Sequence, residues 1–299
     1  MKTSIRNLSP IIVFAYNRIG HLKKTINSLK KCNLSKNSKL IIYLDHHKDD
    51  KEKNKVINIK KYCYKIKGFK EVIIVERKKN LGMSKNIILG VSQTLKEFKK
   101  GIFLEDDMLL DKYFLEYMNY YLKLYKDNNK ISSIHGYSYP TKNKLPDYFF
   151  LKGADCWGWA TWSRAWKLYS NNSKSLLLKI NDKGLIKSFN FNNSYDYFKM
   201  LKQNLIKKNN SWAINWHASC FLRNKLTLYP GNSLVHNFGN DSSGTNCKET
   251  DVFNVKLRNK KLKFTQVKTL ESKYAKIEFE HFFISIMNFK NRFIRLFSV

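Results

Sequence analysis

The sequence predicts an α/β protein organised on a mostly parallel sheet. Over the first hundred residues, short apolar runs alternate with stretches of helical periodicity, the pattern left by βαβ units. Polar residues able to hold a ligand follow each apolar run. From about Tyr148 the composition turns to aromatics, which marks a second half with a different task.

The strands predicted for the first half are Ile11–Tyr16, Leu40–Leu44, Val72–Glu76 and Ile102–Leu104. Leu22, Ile26 and Leu29 recur at helical spacing after the first, and Ile87, Val91, Leu95 and Phe98 before the fourth. A helix through Phe114, Tyr117 and Tyr120-Tyr121 and a strand near Ile131–Tyr137 come next. The aromatic half runs from Tyr148-Phe149-Phe150 through Cys156-Trp157-Gly158-Trp159-Ala160-Thr161-Trp162 to Trp212 and Trp216. It closes on a strand Leu226–Tyr229 and the loop Pro230-Gly231-Asn232. Open α/β sheets bind ligands beyond the carboxyl ends of their strands. Asn17-Arg18, Asp45, Asn80-Leu81-Gly82 and Glu105-Asp106-Asp107 stand there.

Composition narrows the classes. A chain of 299 residues, 43% apolar and 14% aromatic, folds despite a net charge of +33 from 56 Lys and Arg against 23 Asp and Glu. Such a surface is a solvated lysine coat, an attraction for anionic lipid, or an attraction for anionic nucleotides. Nucleic acid is not the expected partner, because no zinc-finger spacing, RRM-like motif or basic heptad array accompanies the charge. Five separated cysteines without a C-x-x-C pair indicate a reducing compartment rather than a disulfide framework or zinc site. Lys2 and Arg6 precede only the short apolar run Ile11 to Ala15, and no apolar stretch reaches the roughly 20 residues that span a bilayer. The expected location is cytoplasmic, with peripheral contact on the inner face of the membrane.

The strand Gly101-Ile102-Phe103-Leu104 runs straight into three carboxylates. Three negative charges so close repel one another, and a site that keeps them ionised supplies a cation. A hard ion, Mn²⁺ or Mg²⁺, shared between one or two carboxylates and a ligand's diphosphate meets that need and neutralises a departing nucleoside diphosphate. The alternative is an acidic turn capping a helix that begins near Asp111.

Several motifs in order carry a resemblance: Ile12-Val13-Phe14-Ala15-Tyr16-Asn17-Arg18, Asn80-Leu81-Gly82 with Lys85-Asn86-Ile87, Leu104-Glu105-Asp106-Asp107, Gly158-Trp159-Ala160-Thr161-Trp162 and Ser211-Trp212-Ala213-Ile214-Asn215-Trp216. Over roughly residues 8 to 248 the chain resembles bacterial GT-A glycosyltransferases of the family 2 type, distantly similar to N-acetylglucosaminyltransferase I. The resemblance implies a Rossmann-like nucleotide-sugar half, residues 1–110, and an acceptor half, 111–248, sharing one mostly parallel sheet, with a basic, amphipathic tail over 249–299. It implies a metal-dependent hexosyl or N-acetylhexosaminyl transfer from a nucleotide-sugar, a UDP-sugar first, to a glycan or lipid-linked acceptor in surface polysaccharide synthesis such as lipopolysaccharide, O-antigen or capsule.

The resemblance further implies that Asp107 ligates the metal, that Asp106 and Glu105 contact nucleotide and sugar, and that Arg18 and Asp45 hold the nucleoside. Arg18 can fork onto phosphate, and Asp45 can accept from a base N–H or a ribose hydroxyl. Asn17, Asn80 and Lys85 stand in the same motifs and complete the expected donor-binding set. His236, in Leu234-Val235-His236-Asn237, matches the C-terminal histidine that completes the metal site in many such enzymes. The stretch Asp241-Ser242-Ser243-Gly244 reads as a loop able to close over the donor.

Two departures matter. Related enzymes often carry Asp-Gly-Pro after the second strand, where this chain has Asp45-His46-His47. In the eukaryotic relative an acidic residue follows the late Trp, where this chain has Ala213, which cannot take a proton from an acceptor hydroxyl. Asp155 and Asp196 are the remaining carboxylates flanked by acceptor-half aromatics; either serves an inverting reaction as base, and a retaining reaction needs none. One of Trp157, Trp159 and Trp162 is expected to touch the acceptor, the others to be core.

The basic-aromatic segment from His281 reads either as an interfacial amphipathic helix or as a helix packed on the domain. A sugar nucleotidyltransferase is disfavoured, because the first loop is Asn17-Arg18-Ile19-Gly20 and lacks that class's Gly-rich, Arg-containing sequence. The rival reading is a non-catalytic basic module for membrane or nucleic acid with a decayed transferase site.

Overall fold

The structure is a computed structural model describing residues 7–243 and 249–296, with side chains to residue 287. In chain order the elements are β1 (Ile11–Ala15), α1 (Ile19–Lys31), β2 (Lys39–Leu44), α2 (Asp50–Cys63), β3 (Glu71–Glu76), α3 (Met83–Phe98), β4 (Lys100–Leu104), β5 (Met108–Leu110) and α4 (Phe114–Leu124). There follow β6 (Ile131–His135), β7 (Tyr148–Lys152), β8 (Trp159–Trp162), α5 (Ser163–Trp166), α6 (Ser173–Asp182), α7 (Ile186–Phe189), α8 (Tyr197–Leu205), α9 (Trp212–Phe221), β9 (Leu226–Pro230), β10 (Val235–Asn237) and α10 (Lys273–Leu296).

Eight strands form one sheet in the order β3-β2-β1-β4-β8-β6-β9-β7, and β10 pairs with β5 in a small second sheet. Strands β1 to β4 are mutually parallel; β1, β2 and β4 are near-continuous buried apolar runs, as strands covered by helices on both faces are, while the edge strand β3 is only partly buried. Strand β8 runs antiparallel between β4 and β6, β9 lies parallel to β6, and β7 closes the edge antiparallel to β9. The sheet is therefore mostly parallel, and the fold is α/β of the GT-A type.

Helices α1 and α3 bury the stripes read from the sequence: Leu22, Ile26 and Leu29 in one, Ile87, Val91 and Leu95 in the other. Helix α2 was not legible, since among its lysines only Val56, Ile59 and Cys63 are buried; its start is fixed by Asp49, whose carboxylate accepts from Glu52 N–H. The aromatic runs of the second half are strands of the same sheet. Trp159 and Trp162 belong to its core at 2% and 5% exposure, which leaves Trp157 half-buried at the rim.

A second core fills the far side of the sheet's β7 edge, where Phe149, Leu151 and Tyr229 meet α6, α8, α9 and α10. Ala275, Phe279, Phe282, Phe283 and Ile286 of α10 are buried in it, while Ile284 and Met287 are exposed. Of the two readings of this basic-aromatic segment, packing on the domain describes its inner face; the side chains of Phe289, Phe293, Ile294 and Phe297 lie outside the described residues. Residues 249 onward return along the domain before α10, with Leu262 buried in the first core and Tyr121 Oη donating to Thr265 O at 3.0 Å. Among the described residues no helix is long and apolar enough to cross a membrane.

Candidate active site

The acidic turn sits where β4 ends, and its backbone is pinned on two sides. Thr25 of α1 donates its hydroxyl to Asp106 O at 2.7 Å and accepts from Met108 N–H at 3.0 Å. Phe238 N–H donates to Asp107 O at 3.0 Å, which ties the turn to the end of β10. The next element is β5 rather than a helix, so these carboxylates do not cap one; Asp111, further on, accepts from Tyr113 N–H and Asn259 N–H.

Arg18, at the N-terminal boundary of α1, reaches both aspartates. Its Nη2 donates to Asp106 Oδ1 and, at 2.7 Å, to Asp107 Oδ2. Burial alone would lower the Arg18 pKa, but Asp106 and Asp107 outweigh it and the net shift is upward. Burial, with the neighbouring aspartates adding to it, pushes the Glu105 carboxyl up. Burial likewise raises Asp106, with Arg18 opposing it. Asp107 Oδ1 is buried with no hydrogen-bond partner. Gly239 presses on the same carboxylate, and a Cβ there would overlap Asp107 Oδ2.

The loop after β10 closes on this cluster. Phe238 stacks on His21 with ring centroids 5.1 Å apart, Asp241 Oδ2 pairs with His21 Nε2 at 2.9 Å, and Arg18 Nη1 donates to Ser243 Oγ at 3.5 Å. Gly244 of the expected loop lies outside the described residues. Sequence reasoning missed His21, Thr25 and Phe238, because each depends on a helix face or loop meeting the acidic turn from far along the chain.

The neighbouring strand ends are joined as well. Asp45, after β2, is buried and accepts through Oδ1 from His46 N–H and Leu81 N–H, each at 2.9 Å. Asn80 donates to His46 O at 2.6 Å, so the loops after β2 and β3 are one unit. Asn17 donates to Glu52 of α2. Lys85 is exposed on the first turn of α3.

His236 is half-buried on β10 opposite Leu109; its Nδ1 accepts from Val255 N–H at 3.4 Å, and burial lowers its pKa. Among the described residues no three His, Cys, Asp or Glu side chains form a ready-made metal cage. The donor set nevertheless fits a hard cation that takes part of its shell from a ligand: two adjacent aspartates, one with an unpartnered buried oxygen.

The two carboxylates proposed as bases differ sharply. Asp196 is exposed, and its Oδ1 accepts from Lys199 N–H at 3.0 Å as the N-cap of α8. Asp155 is half-buried between β7 and β8; burial pushes it up to about 6 while hydrogen bonds from Tyr229 and Tyr139 pull the other way. Trp157, two residues on, is held by its backbone N–H donating to His135 Nε2 at 3.0 Å, and its ring meets Tyr137 and Phe253 edge-on. Ala213 is half-buried on the first turn of α9, beside Trp212, which stacks on Trp159.

A mostly parallel sheet whose strand ends gather Asp45, an arginine and an acidic turn, continued by aromatic strands of mixed direction, is the architecture expected of a GT-A glycosyltransferase. The profile of Glycosyl transferase family 2 matches residues 11–188, more than half of the chain, and the chain belongs to that family. No curated protein sequence matches it at a significant level. Among solved structures it is similar to S. aureus TarS 1-349, with 13% identity and a TM-score of 0.41 over 76% of this chain. It spans 58% of that TarS chain. It is also similar to the mannosyltransferase PcManGT from Pyrobaculum calidifontis in complex with GDP-Man and Mn²⁺, with 10% identity and a TM-score of 0.33, covering 44% of this chain and 36% of that one. The family assignment stands on the sequence profile.

Proposed function

We propose that this glycosyltransferase moves a hexosyl or N-acetylhexosaminyl group from a nucleotide-sugar, a UDP-sugar first, to a hydroxyl of a glycan or lipid-linked acceptor in lipopolysaccharide, O-antigen or capsule assembly. The observation that carries this reading is the pinned acidic turn at the end of β4, with Arg18 across Asp106 and Asp107 and one Asp107 oxygen free. In this reading residues 1–110 hold the donor and 111–248 the acceptor.

Asp107 and His236 would hold Mn²⁺ or Mg²⁺ together with the diphosphate. When bound, the ion supplies positive charge against the leaving nucleoside diphosphate. Arg18 orients the diphosphate through paired N–H groups, and Asp45 accepts from the base or ribose through the oxygen that its backbone partners leave free. Asn17, Asn80 and Lys85 line the donor side, while Glu105 and Asp106 face the nucleotide and sugar.

Asp155 is the better base. It takes the acceptor hydroxyl's proton as that oxygen bonds to the anomeric carbon and the bond to the diphosphate breaks, an inverting displacement. A carboxyl near 6 is mostly deprotonated at neutral pH yet more basic than an ordinary aspartate, whereas Asp196 is committed to its helix. A lipid-linked acceptor would be met at the inner face of the cytoplasmic membrane. The net charge of +33 and the exposed Tyr274, Ile277 and Ile284 of α10 support that peripheral contact.

The test is a thermal-shift screen of UDP-, GDP-, CMP- and dTDP-sugars with and without Mn²⁺, on wild type and Asp107→Ala. Ligands that bind the folded state raise its melting temperature. A shift that needs metal and vanishes in the variant is expected with one nucleotide class. No shift with any donor would move the non-catalytic basic module to first place.

A further inference from the structure

Resting on the metal-diphosphate reading above, we infer that Arg18 keeps the carboxylates closed to a free cation, so that a divalent ion enters only with the diphosphate that draws the guanidinium away. Three observations meet at this residue. Arg18 Nη2 lies on Asp106 Oδ1 and Asp107 Oδ2 together, occupying one oxygen of each carboxylate that an incoming ion would use and setting its charge beside the remaining Asp107 Oδ1. The acidic turn cannot retreat from it, because Thr25 holds Asp106 O and Phe238 holds Asp107 O. Among the described residues the arginine side chain, by contrast, is held by those two carboxylates and a long contact to Ser243.

The moving part is therefore the guanidinium. A divalent ion arriving alone meets a fixed positive charge across its own ligands, and like charges at that separation repel. A diphosphate offers the guanidinium a paired, bidentate acceptor in place of the two aspartate oxygens that Nη2 alone now spans, at a position beyond them. Once Arg18 turns to phosphate, Asp107 Oδ2 is released beside Oδ1, which already lacks a partner. Ion and nucleotide then bind with strong mutual coupling, and coupling of this kind is reciprocal. Arg18 in this role positions the ligands and sets their order of entry.

The experiment measures Mn²⁺ uptake from the free-ion electron paramagnetic resonance signal, with and without UDP or GDP, for wild type, Arg18→Ala and Arg18→Lys, each checked for a cooperative melting transition. Wild type should take up Mn²⁺ weakly alone and at least tenfold more tightly with the nucleoside diphosphate. Arg18→Ala should bind Mn²⁺ alone at least tenfold more tightly than wild type, and the nucleotide should then add little. Arg18→Lys, which keeps the positive charge but as a compact ammonium that lacks the planar fork a diphosphate would draw away, should fall between them. Unchanged or weaker metal-only binding in both variants, with normal coupled binding in wild type, overturns this inference and leaves the proposed function standing. No Mn²⁺ uptake by wild type or variants with either nucleotide overturns the metal reading and this inference with it.

Discussion

The hydroxyl of Tyr229, on β9, donates to Asp155 Oδ2 at 2.9 Å, tying that strand to the segment between β7 and β8. That bond favours the charged carboxylate, while burial favours the neutral acid and prevails, leaving the group near 6. A base must be deprotonated to act, so turnover should rise with pH through about 6. Tyr229→Phe removes a contribution that lowers the Asp155 pKa, and the acidic limb of the rate profile should move to higher pH. Profiles of kcat against pH for the two proteins check this; a limb that stays in place would remove Asp155 from the role.

Asp155 also ties catalysis to stability. Its folded value near 6 stands above the roughly 3.9 of an unfolded aspartate, so its contribution to stability is fully present below about pH 4 and is lost as pH rises through 6. Asp155→Asn removes the charge that burial penalises, so the variant should gain on wild type above pH 6. Discounted for partial solvent access, the gain is on the order of 1–2 kcal/mol. Melting temperatures measured between pH 4 and pH 8 should diverge towards the alkaline end while sugar transfer falls by orders of magnitude. A constant difference across that range would count against a raised carboxyl.

Gly239 tests the other half of the site. Its close approach leaves no room for a side chain, since an added Cβ meets Asp107 Oδ2 and stands 2.6 Å from Asp107 Cγ. Gly239→Ala should push that carboxylate off its position under Arg18 and weaken metal-dependent nucleotide binding about tenfold, roughly 1.4 kcal/mol. The fold itself should lose only about 1–2 kcal/mol, because the overlap is confined to one side chain and a loop. Calorimetric titration with UDP and Mn²⁺ beside a denaturation curve separates the two effects, and wild-type affinity in a folded variant would refute the contact's importance.

The first half of the sheet was legible because its strands and the polar residues at their ends are neighbours in sequence. The run from Gly101 to Asp107 carries both the buried strand and the charged turn, and the same holds from Ile11 to Arg18. The helical faces of α1 and α3 were legible because their apolar spacing is regular. Strands β7 and β8 hid in aromatic runs, because a strand buried on both faces has no polar alternation to reveal it. The clamps on the acidic turn were not legible at all: Thr25 and Phe238 reach it from positions 81 and 131 residues away, through packing that only the folded chain assembles. The same reason separates Asp155 from Asp196, which look alike in sequence and differ only in what surrounds them.

Helix α10 carries a packed face and an exposed apolar face on one element. Phe279 and Phe283 are each 1% exposed and meet Tyr139, Phe149 and Phe191 in the second core, while Ile284 is 43% exposed on the outer side. Phe279→Ala or Phe283→Ala should cost about 3–5 kcal/mol, the usual range for emptying a buried phenylalanine site. Ile284→Ser should change stability by less than about 0.5 kcal/mol. If the outer face meets lipid, Ile284→Ser together with Ile277→Ser should lower binding to vesicles of anionic phospholipid without altering urea unfolding, whereas the phenylalanine variants should unfold early and bind vesicles through exposed core. Sedimentation with such vesicles, run beside urea titrations of the same proteins, distinguishes the faces; equal vesicle binding by wild type and the double serine variant would assign α10 to the fold alone.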